Sequence, residues 1–181
     1  SKRPILNVDE WKTFYNKISE ISKYMEDSGV PLAYHHHMGT VVQSQEDTER
    51  LIDNTSDTVK LLIDTGHMMF AGGDFVKIAK DYSSRLHHVH CKDIRKDVLD
   101  MSLKNDLSFI DAFFAGAFTV PGDGCINYEN FLKILKNFNY KGWLVVEAEQ
   151  DPKKANPFEY GKIGFNHLKK IALDCGFEIT R

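Results

Sequence analysis

The sequence predicts an α/β fold built on a parallel sheet, and two observations carry that prediction. Helical and strand-like segments alternate in the order α-β-α-β-α-β-α-α-β-α, the pattern of a parallel sheet covered by helices. Four strand candidates also share one polarity: each is apolar at its start and ends in imidazole, carboxylate or amine groups. Parallel α/β folds place their sites at the carboxyl ends of the strands. No low-complexity stretch, repeat or internal boundary interrupts the pattern, so residues 1–181 read as a single domain.

The elements follow in order. Asn7 or Asp9 caps a first helix, with Trp11, Phe14, Ile18, Ile21 and Met25 at helical spacing and Gly29 as its stop. Residues 30–37 form a strand candidate that ends in three histidines. Ser44 caps a second helix to about Asp53, with Asp47 in the first turn where the helix dipole favours an acid. Residues 59–64 are a continuous apolar run closing in Asp64, as in a strand buried on both faces. Gly72 and Gly73 break the chain, and Asp74 caps a helix over 75–82. Residues 86–92 are the next strand. The excursion over 94–127 holds a short helix starting at Ser108, with Asp111 completing a capping-box pattern, and then a turn-rich loop over 116–124. Asn127 caps a helix with Phe131, Leu132, Leu135 and Phe138 apolar, residues 142–147 form the last strand, and a final helix covers about 158–173.

The strand ends carry the chemistry. Successive side chains of a strand point to opposite faces. That puts His35 and His37 on one face of the first strand, with His36 on the other. On the third strand His88, His90 and Lys92 share a face, while His87, Val89 and Cys91 lie opposite. Each end has a plain structural reading: histidines can be a polar strand terminus, and Asp64 can cap a turn through its own backbone. Glu147 and Glu149 share a face of the last strand, and a buried carboxylate pair is costly without a cation beside it. Taken together the four ends favour a divalent metal site with mixed imidazole and carboxylate ligands, suited to Mn²⁺, Co²⁺, Zn²⁺ or Fe²⁺. The glycines at 121–124 lack the spacing of a phosphate loop or a dinucleotide fingerprint, and read as a substrate-side loop or a simple turn.

Composition excludes several classes. The 181 residues are 42% hydrophobic and 27% charged, with net charge -3, which gives no electrostatic case for nucleic acid or a membrane surface. No apolar run approaches the roughly 20 residues a membrane span needs. Cys91, Cys125 and Cys175 form neither a disulfide framework nor a metal knuckle, which points to a reducing cytoplasm.

Five stretches carry a family resemblance: Tyr34-His-His-His-Met-Gly-Thr40, Asp64-Thr-Gly-His67, His88-Val-His-Cys-Lys-Asp93, Gly116-Ala-Phe-Thr-Val-Pro-Gly-Asp-Gly124 and Val146-Glu-Ala-Glu-Gln-Asp-Pro152. In this order they resemble the xylose-isomerase-like superfamily of metal-dependent (β/α)₈ TIM barrels, and within it the inosose dehydratases of inositol catabolism. The superfamily holds its metal through a Glu, an Asp, a His and a second Glu on successive strands. The resemblance carries the last three onto Asp64, His90 and Glu147. The first Glu falls at His35, a departure: either His35 replaces that carboxylate or a ligand comes from elsewhere, with His37 and His67 as alternatives or neighbours. The resemblance also places the four strands as the last four of a barrel. The expectation is therefore a C-terminal half barrel of about four βα units, which pairs with a missing amino-terminal half or with another copy of itself.

The activity the resemblance implies is a metal-dependent lyase reaction, dehydration of a keto-inositol to a trihydroxycyclohexane dione through an enediolate. A proton beside the ketone must leave before the β-hydroxyl can, so an electrophile at the carbonyl, a base and an acid are required. The metal set is His35, Asp64, His90 and Glu147, with manganese or cobalt foremost. Lys92, His67 and Glu149 are the catalytic candidates, and His37, Asp93, Pro121 and Gly122 the substrate-binding ones. Glutathione enters as a further cofactor by resemblance alone. The alternatives are a sugar isomerase or epimerase of the same superfamily, or an inactive half barrel.

Overall fold

The computed structural model describes residues 3–180, which fall into two compact units, residues 3–89 and residues 90–180. Each is described by itself.

The first unit opens with α1 (Val8–Asp27), and both halves of a capping box fix its start. The Asn7 side chain accepts the N–H groups of Asp9 and Glu10, and the Glu10 carboxylate accepts the Asn7 N–H at 2.7 Å. Trp11 stacks on Tyr15 and meets Phe14 edge-on, and it forms a core cluster with Val42 and Leu51. Then follow β1 (Ala33–His35), α2 (Gln45–Asp53), β2 (Lys60–Asp64), α3 (Thr65–Phe70) and α4 (Phe75–Asp81). The next strand, β3 (Leu86–Cys91), begins in this unit and leaves its last two residues to the second. β1 and β2 are parallel, with Ala33 opposite Lys60 and His35 opposite Leu62, and β2 lies beside β3. Leu61 and Ile63 are fully buried, as the continuous apolar run requires. Arg85 clamps the loop before β2: its guanidinium donates to Val59 O, Ser56 O and Asp57 Oδ1.

The second unit places β6 (Trp143–Val146) beside the end of β3, where Glu147 N–H faces Cys91 O at 3.5 Å. Between them in sequence come β4 (Asp93–Ile94), α5 (Lys96–Lys104), α6 (Phe109–Ala115), β5 (Phe118–Thr119) and α7 (Tyr128–Asn137). β4 and β5 form a short antiparallel pair. The last helix, α8 (Pro157–Asp174), packs on α7 and β6.

Three expectations need correction. The strand expected over 30–37 is only Ala33–His35: Pro31 has no N–H to give a ladder, and after His35 the chain turns back so that His37 N–H donates to Val42 O. The stretch after Asp64 is the helix α3, too short to show periodicity, with Asp64 as its N-cap. The excursion over 94–127 contains the helix α5 and the β4–β5 pair, which two-residue strands do not announce in sequence.

Candidate metal and proton-transfer centre

In the first unit β2 delivers Asp64 fully buried at its carboxyl end. One carboxylate oxygen, Oδ1, accepts the His67 N–H at 2.8 Å and so caps α3. The other, Oδ2, lies 3.6 Å from His35 Nε2 at the end of β1. Two ligands each about 2.1 Å from a cation, at a tetrahedral angle, stand about 3.4 Å apart, so this pair has the spacing of two ligands. His37 sits in the turn after β1 and its Nδ1 donates to Met38 O at 2.8 Å. Its ring lies 3.7 Å, centroid to centroid, from that of His67, which is fully buried.

His36 is also fully buried, and burial pushes its imidazole down to about 3 against the opposing pull of Asp64. Its Nε2 accepts the Asp64 backbone N–H at 3.2 Å, which puts the ring proton on Nδ1. Strand parity set this residue aside, but β1 ends before it, so parity does not decide where its side chain goes. Its place in a run of three histidines was the only sequence signal.

In the second unit His90, Lys92, Glu147 and Glu149 form a chain. His90 Nδ1 lies 2.5 Å from Glu147 Oε2, a hydrogen-bond length. Lys92 is fully buried, with Nζ 3.2 Å from Glu147 Oε1 and 2.5 Å from Glu149 Oε2. Its ammonium also lies 5.5 Å from the centroid of the Phe118 ring. Glu149 has φ of 42°, in the left-handed region that non-glycine residues seldom enter. The donors in both units are imidazole nitrogens and carboxylate oxygens, the chemistry of a divalent transition-metal site rather than a thiolate zinc site.

Asp93 is committed to its own loop. Its buried carboxylate accepts the N–H groups of Ile94, Gly122 and Ile126. Burial raises its pKa, with those N–H bonds pulling the other way. A Cβ at Gly124 would fall on Asp93 Oδ1 and Ile94 O, so the loop closes here only around glycine. Gly122 has φ of 91°, and a side chain there would strike the His167 ring. Pro121 is buried and Gly122 exposed. Arg95, not singled out from the sequence, holds the same loop through Gly116 O, Thr119 Oγ1 and Asp123 Oδ2. His88 is half-buried, His87 exposed and Cys91 buried.

The family model described as xylose isomerase-like TIM barrel matches residues 2–171. The rhizopine catabolism protein MocC of Rhizobium meliloti is 46% identical over 180 residues, 99% of this chain and 55% of that protein. An inosose dehydratase of Bacillus cereus (strain AH820) is 48% identical over 159 residues, 87% of this chain and 53% of that protein. The chain spans about half the length of the curated relatives it matches. The crystal structure of an IOLI protein with a zinc atom bound superposes with a TM-score of 0.65 at 20% identity, over 97% of this chain and 59% of that one, a likeness of fold. The matches run along nearly all of this chain and about half of each relative, and they establish the α/β TIM-barrel family rather than a half barrel or its pairing with an amino-terminal half.

Proposed function

Since the chain belongs to the xylose isomerase-like TIM-barrel family, we propose that it serves a metal-dependent dehydratase acting on a keto-inositol, with residues 1–181 working as one domain. The relatives named inosose dehydratase support this substrate class over a sugar isomerase or epimerase. The observation that carries the reading is the pair His35 Nε2 and Asp64 Oδ2 at 3.6 Å, the spacing of two ligands on one cation.

His35 and Asp64 in the first unit, and His90 and Glu147 in the second, are the proposed metal ligands, and manganese or cobalt is the proposed metal on the chemistry of a mixed imidazole and carboxylate set. A divalent cation, when bound, supplies Lewis-acid polarisation of a ketone oxygen. Lys92 holds its proton at Nζ between two carboxylates, oriented by Glu149, and serves the departing hydroxyl. His67 serves the proton beside the ketone, with its backbone fixed on Asp64. His37, Pro121 and Gly122 are proposed to meet the substrate, with Asp93 shaping the loop that carries the last two. Glutathione rests on the resemblance alone. The cytoplasm is the proposed compartment, and among the described residues no helix is long and apolar enough to cross a membrane.

The test measures metal binding and loss of water from keto-inositol by mass spectrometry, for the chain and for Asp64→Asn and Glu147→Gln. Both substitutions are expected to abolish metal binding and dehydration. Dehydration that persists at full rate after chelation would overturn the proposal.

A further inference from the structure

The ladder between β1 and β2 ends unevenly. β1 stops at His35, whose partner is Leu62, while β2 runs on to Asp64. A buried backbone N–H needs an acceptor, and beyond the end of β1 the imidazole of His36 supplies it for Asp64 at 3.2 Å. The side chain thus extends the strand by one hydrogen bond. Asp64 is then held twice: its N–H by His36, and its Oδ1 by the first turn of α3 through His67 N–H. Oδ2 lies on the His35 side, 3.6 Å from Nε2.

We propose that His36 is a positioning residue, one that anchors the Asp64 backbone through Nε2 and so aims the Asp64 carboxylate at the cation shared with His35. The proposal rests on the reading of Asp64 as a metal ligand. It assigns the middle histidine of the triplet a task that neither coordinates the metal nor touches substrate. Partners that orient metal ligands typically govern affinity by about 10–100-fold.

The experiment titrates the 181-residue chain with Co²⁺, followed by visible absorption, and measures the melting temperature of the metal-free protein in parallel. His36→Gln keeps an acceptor near the place of Nε2, whereas His36→Met fills the space without a comparable one. Cobalt affinity is expected to fall about 10–100-fold in His36→Met and to stay close to wild type in His36→Gln. A purely structural role would lower the metal-free melting temperature and leave the two affinities alike; equal affinities therefore overturn the proposal. Should His36→Met fail to fold, His36→Asn replaces it, because its shorter amide reaches the place of Nδ1 and not Nε2. Asp64→Asn is the reference: unchanged cobalt binding there sinks the ligand reading itself, whereas lost binding there with indifferent His36 variants sinks only the positioning role.

Discussion

At the scale of the residue, Lys92 concentrates the electrostatics of the second unit. An ammonium fully removed from water is tolerated because Glu147 and Glu149 stand at 3.2 and 2.5 Å. Replacing it by Met leaves two carboxylates facing each other without the cation. Breaking a fully buried pair costs about 3–5 kcal/mol. The glutamate side chains are 31% and 22% exposed, so solvent screening lowers the expected loss to about 2–3 kcal/mol. Urea unfolding of Lys92→Met against wild type measures it. The pairing was legible in part, because two neighbouring carboxylates call for a cation, but both lie past the end of β6 and are half-buried, so the shared strand face and the full burial expected of them are corrected. Which cation was not legible, since Lys92 and Glu149 are far apart in sequence and meet only through tertiary packing.

At the scale of the element, caps were read well and short pieces were not. Asn7, Ser44, Asp74, Ser108 and Asn127 all accept N–H groups at the starts of their helices, because an N-cap is a local interaction with a local signature. The start of α2 adds a longer-range tie. Asp47 Oδ2 accepts Gln43 N–H at 3.2 Å and Ser44 N–H at 3.0 Å, and pairs with Arg3 at 2.8 Å. Burial alone would raise the Asp47 pKa, but those two N–H groups and the guanidinium outweigh it and hold the carboxyl below its usual 3.8. A depressed carboxylate stabilises the fold above its unfolded value, and that stability is lost as pH falls through the folded value. Asp47→Asn is therefore expected to melt lower than wild type at neutral pH. The gap should be constant above roughly pH 5 and narrow below it. Melting curves against pH that keep a constant gap down to acid would refute this. Of the pieces that escaped sequence reading, α3 and the β4–β5 pair are too short for periodicity and depend on partners such as Asp64 and Thr119, while α5 starts at Arg95 with no side-chain cap to announce it.

At the scale of the whole molecule, the chain belongs to a family whose parallel strands finish on one rim, where such folds carry their sites. Metal binding to the folded chain and not to the unfolded one stabilises it by mass action. At a free metal concentration of 100 times Kd the gain is about 2.7 kcal/mol, or roughly 5–10 °C for a chain of this size. Thermal melts with Mn²⁺ or Co²⁺ are expected to show that rise for wild type and none for Asp64→Asn. An equal rise in both would place the metal elsewhere.

The sequence by itself determined the α/β class, the alternation of strands and helices, and the collection of imidazoles and carboxylates at the strand ends. Those follow from periodicity, caps and parity, which act over a few residues. Only the tertiary structure decided how each group is used. It gave Asp64 two jobs, helix cap and neighbour of His35, where the sequence offered them as alternatives. It turned Asp93 inward to its own loop and set Lys92 between two glutamates. It also brought His36, which parity had set aside, onto the Asp64 backbone. The reason is that a buried donor or charge takes whatever partner the fold brings within about 3 Å, and that neighbour is fixed by where a strand ends, which local sequence does not state.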